Sequence, residues 1–231
     1  MGFNNKVRQW QLKYSRYAPQ NLMMYIVGAM ALVYIADYIL APTVGWSLSR
    51  FFMFTRNEVL AGQIWRIFTF VFLPPNSSLF FIVFSLYFYY LIGTALEREW
   101  GSFWFDVYYF CGAIGTVVAG FITGSATNYY LNMSLFFAFA ALYPNFQVLL
   151  FFFIPIKIKW LAYVDAALFL VSFLTGTWAV RAAIIASLIN FFLFFGPSFI
   201  RGLRDFIKTR RRRAQFNREY HGGYDDRNRW N

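Results

Sequence analysis

The chain holds a single cysteine, Cys111, and a single histidine, His221. One cysteine forms no intramolecular disulfide, and one of each residue builds no recognisable zinc site, so a disulfide-stapled fold and a structural zinc centre are both excluded. No metal or other cofactor is expected. Charge is also scarce: 13% of residues are charged, with 10 acidic residues against 21 Lys and Arg, and no lysine between Lys13 and Lys157. Soluble domains average about 25% charged residues, so an ordinary soluble globule is a poor match. No internal repeat is visible, which speaks against a small-molecule transporter.

What is abundant is apolar. Of 231 residues, 59% are hydrophobic and 24% aromatic, and the mean hydropathy is +0.46. These values describe an all-α polytopic membrane protein surrounded by lipid. The net charge of +11 raises nucleic acid as a partner, but ten of the 21 basic residues follow Ile200. Basic clusters beside a hydrophobic segment mark the cytoplasmic side of a membrane protein, so no nucleic acid is expected.

Residues 1–20 carry Lys6, Arg8, Lys13 and Arg16 with no acidic residue and read as a basic cytoplasmic tail. Asn21 to Leu40 follows as a first span, long enough to cross about 30 Å at about 1.5 Å per residue. It is too long for a cleaved signal peptide, and no small-x-small cleavage site follows it. Asp37, near its outer end, reads as a solvated interfacial carboxylate. Ala41 to Gly62 is a first loop, too short and too charged (Arg50, Arg56, Glu58) to span. Its Phe51, Phe52, Phe54 and Leu60 suit the interface. A second span runs from about Ser78 to Leu96, with a tight Glu97 to Gly101 connection. The third runs from about Phe103 to Thr123, where Gly112, Gly115, Gly120 and Gly124 allow close packing, Gly120-x-x-x-Gly124 as a small-residue pair.

Tyr130 to Tyr143, ended by Pro144, is apolar but only roughly 21 Å long as a helix, too short to span. Such a helix survives at membrane depth when protein encloses it, because lipid cannot pair its terminal backbone groups. It is therefore placed centrally, as a short fourth helix. Phe146 to Pro155 is again apolar, and Lys157 and Lys159 mark a turn. The fifth span covers Trp160 to about Leu174 and the sixth about Ala182 to Ile200, completing a membrane domain over residues 21–200. In the tail, 201–231, Leu203, Phe206 and Ile207 recur at helical spacing among Arg201, Arg204, Lys208 and Arg210 to Arg213, a basic interfacial helix. Its charge is either topogenic or a dock for a cytoplasmic partner; beyond Asn217 the composition is that of disorder. Lys and Arg split 17 to 4 between alternate sides, which places both termini in the cytoplasm.

Arg66 stands in an apolar string, Ile64 to Leu73, where a guanidinium persists only if carboxylates or carbonyls satisfy it, and Glu97 or loop carbonyls are its candidate partners. The order Gly62-Gln63-x-Trp65-Arg66-x-x-Thr69, an apolar helix, then Gly93-x-x-x-Glu97-x-x-x-Gly101-Ser102 resembles the rhomboid superfamily of intramembrane serine proteases and their inactive relatives, including the derlins. The resemblance implies a six-helix bundle with a large interfacial first loop and a short central fourth helix. It makes Trp65, Arg66, Glu97 and Gly101 scaffold residues and sets the membrane as bacterial inner membrane or endoplasmic reticulum. Ser134 stands where the family carries its nucleophile.

The family's chemistry needs a base for that serine and donors for the oxyanion. Asn132-Met133-Ser134-Leu135 keeps the serine without its flanking glycines, and the sixth helix, Arg181 to Phe195, has no histidine. Phe81 and Ser85 occupy the positions of the family's oxyanion donors. His221 lies in the tail, and Asp165 alone is a poor base for a buried serine. Without a dyad, Ser134 is expected to bond back to a helix carbonyl. No residue is assigned a catalytic role. The resemblance thus implies a derlin-like pseudoprotease that binds transmembrane client proteins, the alternative being an intramembrane serine protease using Ser134. Clients would enter between the second helix (Phe80, Phe81, Phe84, Tyr87, Phe88) and the fifth (Phe169, Leu170, Phe173), two broad apolar faces.

Overall fold

The computed structural model describes residues 18–75, 78–150 and 154–195. The expected N-tail up to residue 17, the end of the sixth span and the basic C-tail lie outside the described residues. The chain divides into two compact units at Phe192. The fold is mostly helical. Its helices are α1 (Leu22–Val44), α2 (Leu48–Phe52), α3 (Arg56–Leu60), α4 (Arg66–Thr69), α5 (Leu79–Trp100), α6 (Ser102–Thr123), α7 (Tyr129–Leu142) and α8 (Ile158–Thr175), then α9 (Trp178–Phe195). Helices α1, α5, α6, α8 and α9 have 18 to 23 residues each and are long and apolar enough to cross a membrane. The chain is an integral membrane protein.

Four spans differ in extent from the expectation, and the first, α1, continues through Pro42 to Val44, four residues into the expected first loop. Helix α5 continues to Trp100, so Glu97 lies inside it and not in a connection. Gly101 alone makes the turn, at φ 80° and ψ 154°, a conformation that side-chain-bearing residues avoid. Helix α8 starts at Ile158 and α9 at Trp178, because neither Lys159 nor Arg181 interrupts the helical hydrogen bonding.

Helix α7 is the enclosed short helix that its length requires. Leu131, Asn132, Ser134, Leu135, Phe136, Ala138, Phe139 and Ala140 are all buried. It packs against α5, α6 and α8, and Ser187 of α9 donates to Tyr130 O at 2.8 Å. Of the spans, α6 is the most enclosed. Its Gly112 lies against Leu131 of α7 and Asn190 of α9, and Gly120 against Phe54 and Ala126. Gly124 does not belong to a packing pair. It ends the helix at φ 100° with open space where a side chain would go.

The first loop is stapled to the α6–α7 connection. Strand β1 (Phe54–Thr55) pairs antiparallel with β2 (Ser125–Ala126), Phe54 opposite Ala126. Phe54 is fully buried with Val59, Phe70 and Ala126, and Asn128 Nδ2 donates to Val71 O (3.1 Å) and Leu73 O (2.7 Å). After α7 comes a feature absent from the sequence reading, an antiparallel hairpin of β3 (Gln147–Leu150) and β4 (Ile154–Lys157). An apolar run of that length carries no period that separates strand from helix.

Candidate functional site

The Trp65–Arg66 pair opens the one-turn helix α4. Trp65 is 39% exposed and stacks on Phe51, centroids 5.1 Å apart. Arg66 is 7% exposed, and of the two kinds of acceptor expected for it, Glu97 and loop carbonyls, it is the carbonyls that hold it. The guanidinium donates to Gln63 Oε1 (2.8 Å), Arg50 O (2.9 Å) and Met53 O (2.7 Å). Gln63 in turn donates to Glu58 Oε2 at 2.7 Å. The charge is thus relayed to Glu58 through an amide, and the two carbonyls belong to the C-terminal end of α2, where a cation is favoured. Asp37 acts at the other end of α2. Its carboxylate accepts the Leu48 N–H at 2.5 Å and the Ser49 N–H at 3.2 Å, so it satisfies orphan helix donors where simple solvation was expected.

Glu97 ties three spans together. It is 8% exposed, and Oε1 accepts from Asn21 N (2.8 Å) and Ser102 Oγ (2.6 Å). Asn21 adopts the left-handed region, φ 58° and ψ 41°, which asparagine tolerates and which turns its N–H toward the carboxylate. One turn earlier on α5, Gly93 lets the buried Met23 of α1 sit where a side-chain carbon would otherwise be. The Gly93-x-x-x-Glu97 spacing therefore pairs a close approach with a hydrogen bond on one helix face. The carboxylate serves the N-terminal ends of α1 and α6, the favourable end of each helix dipole.

Ser134 is fully buried on α7. Its hydroxyl does not bond back to its own helix: it is hydrogen-bonded to the Tyr108 hydroxyl of α6 and accepts from Asn190 Nδ2 of α9 at 3.3 Å. Tyr108 OH also donates to Ser134 O at 3.0 Å. Phe81 is exposed and Ser85 half-buried on α5, and neither takes part in these bonds. Around this centre, Asn132 Oδ1, Asn190 Oδ1 and Tyr109 OH are buried without a partner among the described residues. An asparagine amide cannot accept a proton, and a phenol with an ordinary value near about 10 stays protonated at neutral pH. The arrangement can hold three helices together but offers the serine no general base.

Sequence reasoning missed four residues here. Asn190 and Ser187, three apart in a stretch that is apolar from Ala182 to Phe195 apart from these two, were a legible signal of an inward polar stripe. Tyr108 was hidden among seven other aromatic residues between Trp100 and Phe121. Asp106, one turn into α6, is 6% exposed, and neither carboxylate oxygen has a partner among the described residues.

Phe169 also departs from expectation. It is buried, not a lipid-facing gate residue, packing on Tyr130 and Phe137 at 5.7 and 5.3 Å between centroids. Helix α5 packs on α1, α6 and α7, and α8 on α7 and β4. Between α5 and α8, Phe136 and Phe137 of α7 form an aromatic floor, with Phe88 5.9 Å from Phe136. No protein-family model matches the chain, and no curated protein matches it.

Proposed function

We propose that this chain is a rhomboid-like pseudoprotease of six helices, both termini cytoplasmic, that binds transmembrane segments of client proteins. The observation that carries the reading is the state of Ser134, whose hydroxyl is engaged by Tyr108 and Asn190 with no base among its partners in the described residues. The scaffold residues support it. Arg66 and Gly101 organise the first loop and the α5–α6 turn, and Glu97 joins the ends of α1, α5 and α6. A client would enter between α5 and α8, over the floor of Phe136 and Phe137. Exposed Phe80, Val83 and Tyr87 on α5 and Leu170 and Val171 on α8 suit contact with an apolar span.

Photocrosslinkers at Phe84 and Leu170 test this in native membranes. Both are expected to capture a transmembrane partner, whereas a crosslinker at Ile122, which is 65% exposed elsewhere on α6, is expected to capture none. Equal capture from all three sites means nonspecific membrane contact and rejects the reading. Cleavage of a transmembrane substrate that is lost in Ser134→Ala would establish the protease alternative instead.

A further inference from the structure

The hairpin lies where an open sheet edge is hardest to tolerate. Ile158 N donates to Phe146 O at 2.8 Å, and the register pairs Val148 with Ile156 and Leu150 with Ile154. In an antiparallel pair, bonded and non-bonded positions alternate, so Gln147 and Leu149 direct their N–H and C=O groups away from β4. Among the described residues no third strand pairs with either edge. The two edges are not equivalent. Pro155 stands opposite Leu149 and removes a donor from the outer edge of β4, a usual way to close an edge against pairing. The outer edge of β3 has no such block.

That edge meets a groove of about 900 Å³ lined by Leu79 to Leu91 positions of α5 and by Phe146 to Leu149, with no residue of β4. Consecutive residues of β3 line it and none of β4 does, which sets the groove along the free edge of β3 and not over one face of the hairpin. The α5 wall belongs to a helix long and apolar enough to cross a membrane, an environment in which open strand edges are avoided. An acyl chain would fill the apolar volume but leave the main-chain groups of Gln147 and Leu149 unpaired. The occupant that satisfies both surfaces is a peptide, since it brings donors and acceptors as well as apolar side chains. The wall is roughly 18 Å long, the length of five or six extended residues.

We propose that the outer edge of β3, facing α5 across this groove, binds an extended apolar segment of a partner protein by strand addition. This deepens the client-binding reading and rests on it for the source of the segment.

The probe is a labelled ten-residue peptide of alternating valine and leucine flanked by paired lysines, measured by fluorescence anisotropy against the full chain in lipid nanodiscs. Its counterpart carries esters in place of four consecutive central amides, so either edge loses donors while side chains are unchanged. The amide peptide is expected to bind at least tenfold more tightly than the ester peptide. Leu149→Pro, which removes the edge N–H without touching the ladder to β4, is expected to weaken amide-peptide binding at least tenfold. Leu149→Ala should change it less than threefold. Equal binding of the two peptides, or no binding of the amide peptide, overturns strand addition. If Phe84 captures a transmembrane partner while both peptides bind alike, the client reading stands and this proposal falls. Ester-sensitive binding with no captured partner does the reverse.

Discussion

Removing the Arg66 guanidinium strands three acceptors at once: Gln63 Oε1 and the carbonyls of Arg50 and Met53. Each buried group left unpaired costs about 1–3 kcal/mol. Arg66→Ala is therefore expected to destabilise the protein by about 3 kcal/mol or more, read as a large drop in melting temperature in detergent. Arg66→Lys should recover little of it, because one ammonium cannot reproduce the fork that reaches a side-chain oxygen and two separate carbonyls. Glu97→Gln leaves the Arg66 site untouched and retains an acceptor for Asn21 and Ser102, so its effect should stay within about 1.5 kcal/mol. Ser134 behaves differently. Its alanine variant leaves the Asn190 amide without its acceptor and is expected to cost about 1–2 kcal/mol. A fluorophosphonate probe is expected to leave both wild type and Ser134→Ala unlabelled, as no base sharpens the hydroxyl.

At the scale of elements, the glycines separate by what they touch. Gly93 is filled by Met23 of α1, so Gly93→Ala forces two spans apart at the point where Glu97 joins them. It is expected to cost about 1–3 kcal/mol, typical of overpacking. Gly101→Ala meets open space but must hold φ 80°, a strain of about 1–3 kcal/mol. Gly115 has neither constraint, and Gly115→Ala should leave the melting temperature unchanged or raise it slightly. Thermal melts of the three variants in one detergent check the ranking, and an equal response from all three would refute it.

For the whole molecule, the first loop and the α6–α7 connection form one body. The β1–β2 pairing, the Phe54 cluster and the Asn128 amide all cross between them. Gly120→Leu would displace the Phe54 ring, which lies 2.7 Å from a carbon built at that position. Limited proteolysis after this substitution is expected to cut within residues 45–62, and the same stretch is expected to resist cleavage in the wild type. The loop was legible as apolar and interfacial but not as a packed unit, since pairing between Phe54 and Ala126 spans 72 residues and leaves no local signature. The Arg66 partner stayed open between Glu97 and loop carbonyls for the same reason. The guanidinium's need for acceptors was evident from its apolar neighbours, but the choice between Glu97 and the nearby carbonyls depended on how α2 folds back.

Amphipathic and hydrophobic length alone determined that the chain is a membrane protein, where its spans lie and that α7 is too short to face lipid, because bilayer thickness imposes a length on any helix that crosses it. Local chemistry also determined Gly101 as a turn and that the final helix brings no histidine toward Ser134. Tertiary structure decided which polar groups meet. Tyr108 and Asn190 reach Ser134 from helices 26 and 56 residues away in sequence, Glu97 collects the starts of α1 and α6, and the apolar run after Pro144 becomes a hairpin. These outcomes turn on hydrogen bonds made at membrane depth, where a polar group takes whichever partner the packing delivers.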